Sequence, residues 1–256
     1  MHTYYREKKY YCGKSREYLE SYIYPVYPVP GSRKKKTKPT SEVQELLNQH
    51  YAENKLTRLL NHNFTSNDIE VHLTYFDNPD CDEQAKKDIQ NFLRRVRRLR
   101  RKNGIEELKY ISVTERSGKG RYHHHVTMNA GIDRDILENL WGKGYANSKR
   151  LQFDNSGLVG LAKYIVKSPV FAKRWNASRN IKEPEPKINN TRITKRKAEQ
   201  LAKDTDYSLA FEQLYPGYHL AEAYAVNNDV NGGIYLCVRM FKNQKYGMKS
   251  RGDKCG

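Results

Sequence analysis

The chain has 256 residues, with 47 Lys and Arg against 29 Asp and Glu, and its formal net charge is +18. A charge of this size attracts polyanions, so it indicates a nucleic-acid partner. The four cysteines lie far apart with no Cys-x-x-Cys pair, which argues against a zinc ribbon or a disulfide framework. No apolar run approaches the roughly 18 residues of a membrane span, and no signal-peptide core precedes the first strand, so we expect a soluble cytosolic protein.

Residues 1–62 are predicted to form a basic, tyrosine-rich arm followed by a helix. A strand is expected at 18–24, before a series of prolines that interrupt strand pairing. The basic run at 33–38 either contacts phosphates or is a solvated linker. Ser41 opens a capping box, and the apolar spacing behind it predicts one long helix or two short ones that end near Asn61.

The central segment, residues 63–180, has the order β-α-β-β-α-β-α. We predict strands at 69–75, 108–115, 122–129 and 147–153, and helices at 85–99, 133–141 and 157–166. This order is typical of a ferredoxin-like or RRM-like antiparallel sheet in an α+β fold, with helices on one face and the other face open. Residues 181–256 are expected to add an accessory helix at 194–203 and a hairpin, so that basic extensions flank the central domain.

Three consecutive histidines lie on the third predicted strand of this domain. Side chains alternate along a strand, so His123 and His125 share the wholly polar, open face, while His124 packs behind. Two imidazoles on one face can bind a single divalent ion. A hydrogen-bonded surface cluster is the other interpretation.

Glu115 ends the neighbouring strand and is the candidate third ligand. Strict alternation places its side chain on the same face as Ile111 and Val113. A carboxylate ligand at this position therefore requires either a bulge or a strand that is buried on both faces.

Tyr164 and Lys167 lie one turn apart on the last predicted helix of the domain, so their side chains share a helix face. A phenol, with a pKa of about 10, attacks poorly unless its anion is stabilised. A neighbouring ammonium stabilises a phenolate, which makes Tyr164 a candidate nucleophile. With 20 tyrosines and abundant lysine, such a pair also arises by chance.

Three stretches in order, Val-His-Leu-Thr-Tyr-Phe at 71–76, Tyr-His-His-His-Val at 122–126 and Tyr-Ile-Val-Lys at 164–167, carry a family resemblance. They resemble the motifs of single-tyrosine rolling-circle replication initiators of the HUH superfamily, as found in plasmids, mobile elements and phages of Gram-positive bacteria. The resemblance implies the palm fold of these endonucleases. It departs from the family where His124 replaces an apolar residue and where Val71-His72 replaces Phe-Thr.

The resemblance also implies roles for individual residues. Metal binding is implied for Glu115, His123 and His125, with Mn²⁺ or Mg²⁺ as the ion. Tyr164 is implied as the nucleophile with Lys167 as its helper. Contacts with nucleic acid are expected at three further positions, His72, Thr74 and Lys163.

The implied activity is a metal-dependent DNA endonuclease and strand transferase. It would nick single-stranded or hairpin origin DNA through a 5′-phosphotyrosine and later rejoin the strands, in the cytoplasm of a bacterial host. No Gly-x-x-x-x-Gly-Lys-Ser/Thr segment is present, so a host helicase and polymerase are the expected partners. Two alternatives remain: a relaxase or transposase of the same superfamily, and a non-catalytic nucleic-acid-binding module.

Overall fold

The computed structural model describes residues 3–27, 42–154, 156–165, 170–171, 173–204, 206–228 and 232–243, without the side chains of 42–47 and 228. The basic run at 33–38 and the predicted cap Ser41 lie outside these residues. Within them, ten strands and six helices form two five-stranded sheets. The elements are β1 (Tyr4–Cys12), β2 (Tyr18–Val26), α1 (Glu42–Asn63), β3 (Ile69–Thr74), α2 (Asp82–Lys102), β4 (Tyr110–Arg116), β5 (Tyr122–Met128), α3 (Arg134–Asn139), β6 (Ala146–Arg150), α4 (Val159–Ile165), β7 (Asn176–Ala177), β8 (Lys187–Asn189), α5 (Lys195–Lys203), α6 (Tyr207–Leu214), β9 (Tyr218–Asn228) and β10 (Gly233–Lys242).

The central sheet has the strand order β6-β3-β5-β4-β7, and each pair is antiparallel. The four predicted strands of this segment therefore interleave, because α2 carries the chain from β3 past the place that β5 later fills. This is the ferredoxin-like arrangement, and the predicted α+β fold class is confirmed.

The first face of the central sheet carries the largest apolar core. The apolar stripe of α2 supplies Phe92 and Val96, which are fully buried against alternate residues of β3 and β5, and Trp141 after α3 completes the cluster. Each large side chain buried in this way contributes roughly 1.5–3 kcal/mol of transfer free energy. At the start of α3 the Asp133 carboxylate accepts hydrogen bonds from backbone amides, as an N-cap should.

The expectation that helices cover only one face needs a correction. On the opposite face, Leu56 and Leu60 of α1 and Ile165 of α4 pack over Ile111 and Val113. The physical reason lies in β4, which has apolar or compact residues on both sides and is buried along almost its whole length. One end of the second face is therefore covered, and the other end stays open.

The second sheet joins the two ends of the chain, in the order β8-β1-β2-β10-β9. The strand at 18–24, the helix at 194–203 and the terminal hairpin were all predicted, whereas β1, β8 and α6 were not. Helices α5 and α6 cover one face of this sheet, with Phe211 at the centre of a separate apolar core. The predicted arm and the predicted accessory hairpin thus form one layer.

Helix α1 lies between the two sheets and contributes polar groups to the second one. Arg58 donates to the buried carboxylate of Glu20 at 2.6 Å. Asn54 accepts a hydrogen bond from Arg239, which also pairs with Glu222. Both charged groups of the first pair are buried, so removing one alone would leave an uncompensated charge. Among the described residues, no helix combines the length and apolarity needed to cross a membrane.

Candidate metal and nucleophile site

The open end of the second face of the central sheet brings four candidate residues together. In the strand register, His72 lies opposite His125, and Thr74 lies opposite His123. On the other side of β5, Glu115 lies opposite His123. Directly paired residues in antiparallel strands project to the same face, so these side chains converge.

Three imidazoles form the cluster that could hold a metal ion. One ring nitrogen from each of His72, His123 and His125 lies within 4.8 Å of the other two. The rings of His72 and His125 are stacked with centroids 4.6 Å apart, and His123 meets both edge-on. His72 was predicted to contact nucleic acid, and its place in this cluster makes it a potential ligand as well.

The Glu115 carboxylate borders the cluster. Its Oε2 atom lies 3.0 Å from His123 Nε2 and 3.8 Å from His125 Nε2. No bulge separates it from the histidines, because β4 is buried on both faces and carries Ile111, Val113 and Glu115 on the same side. The second of the two conditions foreseen from alternation is therefore the one observed.

The donor atoms of this cluster fit a divalent cation. Glu115 Oε1, His72 Nε2 and His125 Nε2 are buried and have no hydrogen-bond partner among the described residues. Unpaired buried polar atoms are costly, and a cation would give them a partner. Imidazole nitrogens with a carboxylate oxygen form a recognised set of ligands for divalent transition metals.

The environment keeps His72 uncharged. Burial, followed by the charges of His125 and His123, lowers the pKa of His72 to about 4. A metal ligand must present a free lone pair, and His72 does so throughout the neutral pH range.

Glu70 is a supporting residue that the sequence interpretation missed. Its Oε1 atom lies 3.2 Å from His125 Nδ1, and its Oε2 atom lies 3.2 Å from the ammonium of Lys149. Burial alone would raise the pKa of Glu70, but the contacts with His125 and Lys149 bring it below its ordinary value. A carboxylate on one ring nitrogen directs the other towards a metal. Glu70 precedes His72 by two residues on one strand face, which is the signal that could have found it.

His124 lies on the opposite face, as alternation predicts. Its Nε2 is 2.7 Å from the Tyr75 hydroxyl, its Nδ1 is 2.8 Å from the Thr114 hydroxyl, and its ring packs on Trp141. Burial, followed by the charges of the neighbouring histidines, lowers the pKa of His124 to about 3. It is a core residue that stays neutral.

This depressed pKa makes stability depend on pH. Between about pH 6.5 and pH 3 the unfolded chain binds a proton at His124 that the folded chain does not, so stability falls as pH falls. We expect the free energy of unfolding to drop by about 2 kcal/mol more between pH 7 and pH 5 in the wild type than in His124→Gln, measured by urea denaturation. Parallel pH curves for the two proteins would contradict this assignment.

Tyr164 stands above the cluster on α4. Its side chain is 58% exposed, and its ring meets that of His125 edge-on at a centroid distance of 5.2 Å. Lys167 lies outside the described residues. The adjacent Lys163 contacts Glu222 of β9 at 3.4 Å, and the hydroxyl of Thr74 donates to the carbonyl of Tyr145. The predicted nucleophile and the predicted ligands are therefore brought together.

A closely fitted contact holds the start of α4. Gly157 has a φ of +61°, and a Cβ there would overlap Asn61 Oδ1 and lie 2.7 Å from the ring of Phe241. Asn61 Oδ1 also accepts a hydrogen bond from the amide of Leu158 at 3.2 Å. The helix that carries Tyr164 thus begins against α1 of one layer and β10 of the other.

We expect Gly157→Ala to reduce strand cleavage and to destabilise the protein by about 2 kcal/mol, because left-handed backbone and a steric clash both oppose the Cβ. Gly160→Ala is the matched control on the same helix, because nothing lies within 4 Å of its Cβ position. That variant should be neutral or slightly more stable. Thermal denaturation and single-turnover cleavage check both variants, and equal behaviour would show that the contact at Gly157 is unimportant.

Residues 68–169, from the start of β3 through α4, match a family model for the replication-associated protein ORF2. The matched range contains every candidate site residue. This match confirms the resemblance to rolling-circle replication initiators that the three motifs predict. Neither the curated proteins nor the solved structures provide a match to the chain.

Proposed function

We propose that this protein initiates rolling-circle DNA replication by nicking single-stranded origin DNA and later rejoining the strands. The observation that carries the proposal is the position of Tyr164, an exposed phenol whose ring contacts His125 of the histidine cluster. A replication-associated family match over the same residues agrees with it.

In the proposed reaction, Tyr164 Oη attacks a phosphodiester. The bond from this oxygen to phosphorus forms as the bond from phosphorus to the 3′ oxygen breaks. The phenol loses its proton, the departing 3′ oxygen gains one, and a 5′-phosphotyrosine remains. One ester replaces another, so the reverse reaction can rejoin a strand without an external energy source.

Glu115, His123 and His125 are the proposed ligands of a divalent ion, with His72 as a further ligand. A bound ion supplies polarisation and orientation of the scissile phosphodiester. Three imidazoles favour Mn²⁺ over Mg²⁺, because Mg²⁺ prefers oxygen ligands. Glu70 orients His125, and Lys167 is the proposed helper of the nucleophile.

The proposed DNA contacts are His72, Thr74 and Lys163, and host helicase and polymerase in a bacterial cytoplasm are the proposed partners. A non-catalytic module of the RNA-recognition type would carry stacking aromatics on its central strands. Here the central strands present histidines and carboxylates on that face, which favours an enzyme. A relaxase or transposase would use the same chemistry on a different DNA.

The proposal is tested with single-stranded oligonucleotides that tile both strands of the replicon encoding the chain. With Mn²⁺ or Mg²⁺ we expect one oligonucleotide to give a protein–DNA adduct that survives denaturation, and peptide mass spectrometry should locate it at Tyr164. EDTA should prevent it. Complete tiling without any adduct would refute the proposal, and an adduct at another tyrosine would refute the assignment of Tyr164.

A genetic experiment separates the initiator from the relaxase. Deletion of the gene should abolish replication of its own replicon if the protein is an initiator. Loss of transfer between cells with normal copy number would instead identify a relaxase.

A further inference from the structure

Two large aromatic side chains lie exposed beside the histidine cluster and have no role in the proposed reaction. Phe76 is 62% exposed and Tyr145 is 74% exposed. Their rings contact each other edge-on, with centroids 4.9 Å apart. Exposed aromatics of this size lose apolar contact with the core, so a pair of them in contact on the surface indicates a binding site.

The backbone under this aromatic pair is fixed. The amide of Thr74 donates to the Tyr145 carbonyl at 2.8 Å, and the amide of Phe76 donates to the Lys143 carbonyl at 3.0 Å. A Cβ on Gly144 would lie 2.6 Å from the Cα of Tyr75, so only glycine allows this close approach. The two rings are therefore presented by a rigid hairpin-like contact and lose little freedom when they bind a partner.

The pair lies directly next to the site. Thr74 is paired with His123 in the sheet, and its hydroxyl donates to the Tyr145 carbonyl at 3.2 Å. Phe76 is two residues beyond Thr74, so alternation places both on the face of the cluster. A strand of DNA whose phosphate meets the histidines would carry its neighbouring bases over the two rings.

The charges around the pair suit an anionic strand. Arg121 approaches from the loop before β5 and donates to the carbonyl of Tyr75 at 2.6 Å. Lys149 extends from β6, with its side chain 64% exposed. Cations beside exposed rings match the combination that single-stranded nucleic acid requires, a charged path for phosphates and aromatic faces for bases.

We propose that Phe76 and Tyr145 form a stacking platform for one or two bases of single-stranded DNA next to the cleaved phosphate. This assignment rests on the proposed function for the identity of the strand. The platform recognises the face of a base rather than its edge, so it tolerates any sequence. Origin selection must then come from other contacts.

Binding is measured in EDTA, which keeps the test independent of cleavage, with fluorescein-labelled oligothymidylate as the probe. Alanine at both positions is expected to weaken binding about tenfold or more, the usual range for loss of base stacking. Tyr145→Phe keeps the aromatic face and should bind normally. Phe153→Ala is the matched control, because Phe153 is 40% exposed and follows the opposite end of β6.

A photochemical experiment identifies the contact directly. Oligothymidylate containing 5-iodouracil should cross-link to the peptides that carry Phe76 or Tyr145 in the wild type. Cross-links confined to other peptides would overturn the platform, and so would less than threefold weakening in the double variant. Equal weakening for duplex DNA would also overturn it, because paired bases offer no free face. A double variant whose thermal stability falls is decided by the wild-type cross-link.

The two proposals can fail separately. Loss of stacking with intact adduct formation would remove the platform and leave the nickase. Normal stacking without any adduct would leave a single-stranded DNA-binding protein. If Phe76 and Tyr145 bind a protein partner instead, the double variant will retain DNA affinity, and the stacking proposal is wrong.

Discussion

Replacing Tyr164 with Phe is expected to eliminate the covalent protein–DNA adduct and to lower strand cleavage about 10³-fold or more, as loss of a nucleophile commonly does. The exchange removes only the hydroxyl. The ring that contacts His125 at 5.2 Å remains, so folding and metal binding should be unchanged. Adduct formation on denaturing gels and single-turnover cleavage measure the effect.

The matched control is Tyr51→Phe. Tyr51 lies on α1 and is 63% exposed, so its hydroxyl is at least as accessible as that of Tyr164. That variant should form the adduct at the wild-type rate. If Tyr164→Phe still forms an adduct while Tyr51→Phe does not, the nucleophile has been assigned to the wrong tyrosine.

The second large effect is expected at His125. His125→Ala should weaken Mn²⁺ binding about 100-fold and lower cleavage to a similar extent, because loss of a ligand exceeds the 10–100-fold typical of supporting residues. His125 is the central member of the site, since its ring contacts His72, His123 and Tyr164. Calorimetric titration with Mn²⁺ measures binding without reference to activity.

Two comparisons sharpen this result. Glu70→Gln should weaken Mn²⁺ binding by about tenfold, since the amide keeps the shape but orients His125 less firmly. His50→Ala on α1, where the side chain is 66% exposed, should have no effect. Unchanged Mn²⁺ affinity in His125→Ala would show that the cluster does not bind the ion, even if cleavage fell.

The variants at Tyr164 and His125 therefore separate the two halves of the site. The first should leave the metal bound and the chemistry absent, and the second should lose both. The helix that carries Tyr164 is held by Asn61 and Phe241 from other layers, whereas His125 lies on the middle strand of the central sheet. Mutations that loosen α4 should reproduce the first pattern and spare metal affinity.

The sequence determined those features that depend on local periodicity. The period of two along β5 separates His123 and His125 from His124, and the structure confirms that His124 lies in the core. The period of 3.6 along α2 defines its apolar stripe, and the order of strands and helices from β3 to α4 follows from such patterns. Propensity and alternation act over a few residues, so one chain segment is enough to read them.

Only the tertiary structure decided what depends on pairing between distant segments. His72 joins the histidine cluster because β3 pairs with β5 in one particular register, and a shift of one residue would turn it to the other face. The joining of β1 and β2 with β10, and the contact of Gly157 with Phe241, bring together residues from opposite ends of the chain. Such contacts are selected by packing across the whole fold, and no local pattern encodes them.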